Sequence, residues 1–222
     1  MVGTNKDYIE DLFGDRAIYK EQKIGEEYPY GTGYAVGLAT DEIKDDDEVL
    51  ILTGDSPLLR GETLKDFIDF HKSHNNDGSL LSAMIDDPFG YGRIIRDDKG
   101  FLEAIVEEKD TNDEQKKIKE CNSGIFIFNG GLLKESLKTL DMNNAQGEIY
   151  VTDVIKKLSD QNKRLGVFKL EDVTEAYGIN TKKQLAEAQE IMRARVNEKL
   201  MLDGVVMENP SNIFIEPGVR IG

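Results

Sequence analysis

The sequence predicts an α/β fold, a mostly parallel sheet with helices on both faces. Three observations predict it. Segments nearly continuous in Val, Ile, Leu and Phe, such as "VLILT", "SLLSAMI" and "NSGIFIFN", alternate with amphipathic stretches. That is the pattern of strands buried on two faces. Apolar residues make up 39 % and charged residues 32 % of a 222-residue chain, a globular composition long enough for one substantial domain or a domain with an appendage. No apolar run approaches the roughly 20 residues a membrane helix needs.

The segment "DYIEDLF" predicts a short helix. Val49 to Thr53 predict a strand shielded from water that runs into Gly54 and Asp55. "GETLKDFIDFHKSH" puts Leu64, Phe67, Ile68 and His71 on one helical stripe. "SLLSAMI" predicts a second buried strand. In "GRIIRDDKGFLEAIVEE" two strands flank the turn Asp97-Asp98-Lys99-Gly100. "NDEQKKIKE" reads as a polar helix start and "NSGIFIFN" as a third buried strand. The helices "GLLKESLKTL" and "TDVIKKLSDQ" follow, the second capped by Thr152 or Asp153. "RLGVFKL" predicts a strand, and "AYGIN" is a short apolar segment ending on Asn180. Leu185, Ala188, Met192, Val196 and Leu200 mark one long helix that stops at Gly204. In "IFIEPGVRIG", Ile215, Val219 and Ile221 surround Pro217-Gly218 like the first turn of a hexapeptide β-helix, which needs several stacked turns to bury a core.

The net charge of −15 argues against nucleic acid or anionic membrane as partner. A phosphorylated ligand would need a divalent cation or local basic groups to offset repulsion. The first residues lack the basic and apolar regions of a signal peptide. The single cysteine, Cys121, excludes an internal disulfide and reads as an inert buried thiol in a reducing cytoplasm. His71 and His74, three apart, read as a solvated helix end rather than a metal pair.

Several strand ends and loops carry candidates. Asp55 is a lone carboxylate after a strand, where open α/β sheets bind ligands. Gly31-Thr32-Gly33 precede a helical run and would let backbone N–H groups meet a flat or anionic ligand; the plain alternative is Thr32 capping that helix. Gly92 offers close backbone approach. Glu107 could accept hydrogen bonds from sugar hydroxyls or be a surface charge. Asn122 and Asn180 sit beside glycines and are also common turn residues.

The order and spacing of "GTGYA", "LTGDSPLL", "DPFGYGRIIRD", "IVEEKD", "CNSGIFIFN", "NNAQGEIYVTDVI" and "AYGIN" decide between these readings. With the long helix and hexapeptide start, they resemble the pyrophosphorylase half of the bacterial bifunctional UDP-N-acetylglucosamine pyrophosphorylase/glucosamine-1-phosphate N-acetyltransferases. The resemblance covers essentially the whole chain. It implies a nucleotide-diphospho-sugar transferase domain over residues 1–181, a linker helix over 182–204 and a left-handed β-helix start over 205–222. It implies magnesium-dependent transfer of uridylyl from UTP to N-acetylglucosamine 1-phosphate in the cytoplasm, giving UDP-N-acetylglucosamine for the cell wall. Such transfer rests on positioning and electrostatics rather than a protein nucleophile.

By this resemblance Gly31 and Thr32 would lie against the uridine, and Gly92, Glu107 and Asn122 would hold the sugar and its N-acetyl group. Thr53, Gly54 and Asp55 match a "YGD" segment, with Thr in place of the usual aromatic or small residue. Asp55 and Asn180 would be the protein ligands to Mg2+. A Gln reading the uracil is expected five residues before Gly31; Glu26 stands there, and a four-residue insertion would leave Gln22 in that role. The family's first strand and its glycine-rich phosphate loop with Arg and Lys have no match, nor does the trimer-forming acetyltransferase β-helix beyond its first turn. The chain is therefore expected to be an incomplete site, inactive alone. A related sugar-1-phosphate nucleotidyltransferase and a non-catalytic sugar-nucleotide-binding module are the competing readings.

Overall fold

The ten residues Glu120–Asn129 organise the molecule. This strand, β5, is flanked by β2 (Gly78–Met84) along one side. On its other side lie β3 (Arg93–Arg96) and β1 (Glu48–Ile51). The hairpin partner β4 (Leu102–Val106) extends the sheet beyond β3, and β6 (Leu165–Lys169) extends it beyond β2. The helices are α1 (Lys6–Phe13), α2 (Thr32–Gly37), α3 (Gly61–Ser73), α4 (Gly130–Leu137), α5 (Asp153–Asp160) and α6 (Lys182–Leu202). The structure, a computed structural model, describes residues 1–25 and 27–221.

Successive residues of a strand face opposite sides, and β5 uses both. Phe126 and Phe128, their rings stacked 5.6 Å apart, join Leu80, Ile94 and Ile105 in one core, with Leu133 of α4 and Val154, Ile155 and Leu158 of α5. Ile125 and Ile127 face the other way, with Leu81, Ala83, Cys121 and Phe67 of α3. Helices thus cover both faces, as the unbroken apolar runs require. No helix among the described residues is long and apolar enough to cross a membrane.

The sheet is mixed rather than mostly parallel. Among the strands of the described residues only β2 and β6 run parallel; β5 is antiparallel to β1, β2 and β3, and β3 to β4. A continuous apolar run reports burial on two faces, whatever direction the neighbouring strand takes. The first strand also differs. It covers four residues, all half-buried or exposed, and Leu52 is 49 % exposed. β1 pairs only with β5 among the described residues, so its apolar side chains are half covered.

Smaller corrections have local causes. The polar segment after β4 forms single 3-10 turns at Glu108–Asp110 and Gln115–Lys117, with no longer helix. Thr152 sits at the N-cap of α5, but its side chain makes no cap bond. His71 is buried against Ser79 Oγ at 2.9 Å rather than solvated, and burial lowers its pKa. His74 meets the Phe70 carbonyl at 2.9 Å. The α6 stripe is incomplete: Leu185 is exposed, whereas Ala188 and Asn197 are buried. After α6 the chain forms a 3-10 turn, Pro210–Asn212, with no strand among the described residues that follow. Phe214, Val219 and Ile221 there are exposed. Cys121 is buried and free, its thiol pushed up to about 11 by burial, as an inert thiol should be.

Candidate functional site

The turn Tyr30–Gly33 docks onto the loop before α5. Ile149 N–H donates to the Tyr30 carbonyl and Gly33 N–H to the Ile149 carbonyl, both at 2.8 Å. Gly31 has φ +119°, and a Cβ there would collide with the Ile149 carbonyl, so only glycine fits. Thr32 does not cap α2; its Oγ1 accepts from Val151 N–H at 3.0 Å. Next along that loop, Thr152 donates its hydroxyl to Glu107 Oε1 at 2.9 Å.

Glu107 follows the end of β4. The ladder pairs Arg93 with Val106, so Gly92 and Glu107 are the next opposed positions. A Cβ on Gly92 would lie 3.2 Å from Glu107 Oε2, which shows how closely this carboxylate stands over the Gly92 backbone. The Gly92 carbonyl accepts from Asn122 N–H at 2.8 Å. Asn122 is buried, and its Oδ1 accepts from Gly124 N–H at 3.0 Å. Gly124 has φ +80°, and a Cβ there would meet Thr53 Cγ2 at 2.9 Å. Thr53 in turn shares a 2.8 Å hydroxyl contact with Ser56.

Asp55 and Asn180 are 125 positions apart, yet they flank one backbone position. A Cβ on Gly178 would lie 3.3 Å from Asp55 Oδ2 and 3.8 Å from Asn180 Nδ2. Ile179 N–H fixes this corner by donating to the Asp55 carbonyl at 2.8 Å. Tyr91, one residue before Gly92, is near enough to Gly178 and Asp55 for both to act on its phenol, which burial pushes above its ordinary range. Gly54 opens onto space, so crowding does not explain a glycine there.

Nine of the ten sequence-predicted residues therefore belong to one run of neighbouring segments. It passes from Gly31 and Thr32 through Glu107, Gly92, Asn122 and Thr53 to Asp55 and Asn180, with Gly54 between. Gln22 stands apart. Its N–H donates to the Val2 carbonyl at 2.9 Å, and it lines a shallow groove with Lys6, Lys23 and Tyr28. Glu26 lies outside the described residues.

Carboxylates crowd the Glu107 end. Burial is the main force raising the Glu107 pKa; the Thr152 hydroxyl opposes it, while Asp153, Asp110 and Glu148 add to it. Asp153 is raised as well, first by burial and then by Asp141 and Asp110. Burial pushes the nearby Tyr150 phenol up to about 12. A ligand that donates hydrogen bonds to Glu107 would relieve this cost.

Several residues escaped the sequence reading. Arg93, a charged residue inside "GYGRII", is 1 % exposed. It donates from Nη1 to the Tyr91 carbonyl and from Nη2 to Glu108 Oε2, the latter at 2.6 Å. The corner has its own cation. Arg195 of α6 donates to the Leu58 carbonyl at 2.6 Å, to Asp172 at 2.9 Å and to Thr174 at 2.7 Å. Asp172 also binds Arg60 at 2.6 Å, and Arg60 N–H donates to buried Glu175 at 2.9 Å. An arginine inside an apolar strand was a readable signal for the first. Nothing local marked Arg195, because its partners lie 21 to 137 positions away.

The mixed sheet with helices on both faces is the fold of a nucleotidyl transferase. A solved Bacillus anthracis protein assigned as a glucose-1-phosphate thymidylyltransferase superposes with a TM-score of 0.60 over 93 % of this chain and 75 % of its own, at 15 % identity. The sequence profile described as nucleotidyl transferase matches residues 3–191, and the chain belongs to that family of enzymes. Its curated relatives include proteins named bifunctional protein GlmU. That of Caldanaerobacter subterraneus subsp. tengcongensis is 40 % identical, and that of Streptococcus thermophilus 43 %, each over 222 residues. The match takes in all of this chain but 48 % and 47 % of those proteins, so the chain spans about half the length of the curated relatives it matches.

Proposed function

We propose that the chain carries the uridylyltransferase site that joins UTP and N-acetylglucosamine 1-phosphate, forming UDP-N-acetylglucosamine and pyrophosphate. One observation carries this reading: residues from six separate stretches of chain, 31 to 180, stand on neighbouring segments along one run. Gly31 and Thr32 would lie against the uridine, with Gln22 reading the uracil. The glycine at position 31 lets backbone meet a flat base without a side chain between them. Glu107 accepts hydrogen bonds from sugar hydroxyls, and the bare Gly92 backbone lets the ring approach it. Asn122 would hold the N-acetyl group. The product would serve cytoplasmic synthesis of cell-wall precursors.

The residues present fit magnesium. Asp55 offers an exposed carboxylate and Asn180 an amide across the same glycine. Mg2+ characteristically takes one or two protein oxygens and completes its octahedron with water and substrate phosphate. No group of three or more His, Cys, Asp or Glu forms a closed cage among the described residues. When bound, the ion would neutralise phosphate charge beside a protein of net charge −15. The chain's own part is to hold reactants in line and exclude misplacement, which supplies most of the rate in phosphoryl-type transfer.

Calorimetric titration of the chain with UDP-N-acetylglucosamine, with and without Mg2+, tests the reading. Binding should strengthen with Mg2+, and Asp55→Asn should remove that gain. UDP-N-acetylglucosamine should bind more tightly than UDP-glucose. Affinity indifferent to Mg2+, to Asp55→Asn and to the N-acetyl group would overturn it.

A further inference from the structure

We propose that Arg93 is a positioning residue for the sugar: its buried guanidinium ties the Tyr91 carbonyl to the Glu108 carboxylate and thereby sets the gap between Gly92 and Glu107. This rests on the sugar-binding reading of Gly92 and Glu107 given above.

The geometry is that of a brace on the back of a wall. Side chains alternate across a strand, so Arg93 and Val106 point away from the face that Gly92 and Glu107 share. From behind, Arg93 grips the residue before Gly92 and the residue after Glu107. Two bonds from one planar fork fix a separation, which a flexible ammonium on a lysine does not. The Gly92 carbonyl passes the constraint on to Asn122 through its 2.8 Å bond. One guanidinium therefore sets all three sugar-facing residues.

Stability alone does not call for an arginine here. Burying an ion pair costs desolvation, and apolar residues of similar volume commonly serve as well or better. The cost is visible: Arg93 Nε is a buried donor with no partner among the described residues. Its neighbour Cys121, paired with it across β3 and β5, is fully buried and gives no counter-charge. What the guanidinium supplies, and an apolar side chain cannot, is a fixed distance between two loops.

The experiment compares the affinities of UDP-N-acetylglucosamine and UDP in Mg2+ for the wild-type chain, Arg93→Lys, Glu108→Gln and the double variant Arg93→Met/Glu108→Met. The double variant leaves no unpaired buried charge, and its melting curve reports whether it is folded. The wild type should prefer the sugar nucleotide. In the double variant and in Arg93→Lys, UDP-N-acetylglucosamine should weaken about tenfold or more, as for a site misplaced by a fraction of an ångström, while UDP stays within about twofold. Glu108→Gln should shift the preference the same way by about threefold, and it covers the case in which the double variant does not fold. A preference that survives in these variants, or a parallel weakening of both ligands, overturns the role of Arg93 alone. A wild type without preference overturns the sugar-binding reading and this role with it.

Discussion

The site has two halves built on different principles. The Gly92–Glu107–Asn122 wall belongs to strands: its residues are set by the β3–β4 ladder and by a bond between β5 and the residue before β3. It is braced from behind by an ion pair with almost no exposure on the arginine side. The Asp55–Asn180 corner belongs to loops. Its candidate ligands are exposed, and its braces, Arg60 and Arg195, share Asp172, which solvent also touches. The contrast fits the ligands proposed. A sugar must be recognised by shape and by the direction of its hydroxyls, which demands a fixed frame. A hydrated cation that shares its shell with phosphates needs only two oxygens within reach.

The largest effects should come from the hydrophobic floors. Phe126 is fully buried beneath the wall, and Phe126→Ala should cost about 3–5 kcal/mol in urea unfolding. Leu58, buried below the corner, should cost about 2–3 kcal/mol on truncation to Ala. Equal losses would erase the distinction between a strand-built and a loop-built half.

Next is Glu107→Gln, which should weaken UDP-N-acetylglucosamine about 10- to 100-fold, the worth of a hydrogen bond to a charged group, and leave UDP unchanged. The same substitution should raise stability near neutral pH. Glu107 has a folded-state pKa above its unfolded value, so the folded state holds the proton more tightly. Its stabilising contribution is full below the ordinary carboxylate pKa and disappears as pH rises through the raised one. The ionised form is thus a burden at pH 7, and the melting gap between variant and wild type should close on acidification. A variant that melts lower at pH 7 and tighter binding by the variant would each count against the frame described for the wall.

Asp55→Asn should act on the cation alone. It should abolish a magnesium-dependent gain on the order of tenfold in nucleotide affinity without altering the ratio of sugar-nucleotide to UDP binding. A change in that ratio would show that the halves are not separable. Smallest of all, Lys156→Met, outside both halves, removes exposed pairs with Glu103 and Asp160 and should shift stability by less than about 1 kcal/mol.

What could be read in advance follows the same division. The wall's strands were legible because burial on both faces writes itself into unbroken apolar runs, and the Asp97–Gly100 turn is spelled out locally: Asp97 Oδ1 accepts from Lys99 and Phe101 N–H groups. Strand direction was not legible, since Phe126 and Ile127 look the same beside a parallel or an antiparallel neighbour. Asp55 was conspicuous as a carboxylate between apolar stretches. Thr32 was visible, with a helix cap as its plain alternative, but its actual partner, Val151, is 119 positions away. Thr152 likewise looked like a cap, and spends its hydroxyl on Glu107. Short polar side chains have several local uses, and the distant partner chooses among them.

Arg195 gives the long helix a further meaning. Within two residues α6 grips both ends of its surroundings: Arg195 holds the Leu58 carbonyl and Asp172, and Asn197 holds the Pro210 and Ile213 carbonyls. Leu58 follows Asp55 closely, and Asp172 precedes Asn180 on the same connection. Thermodynamic linkage is reciprocal: if occupying the corner steadies these loops, it must also steady the helix, and a load on the helix must change the affinity of the corner by the same factor. The backbone amides around Arg195 and Asn197 are therefore a natural gauge. Their exchange with solvent deuterium should slow when UDP-N-acetylglucosamine and Mg2+ are added, although neither would touch them.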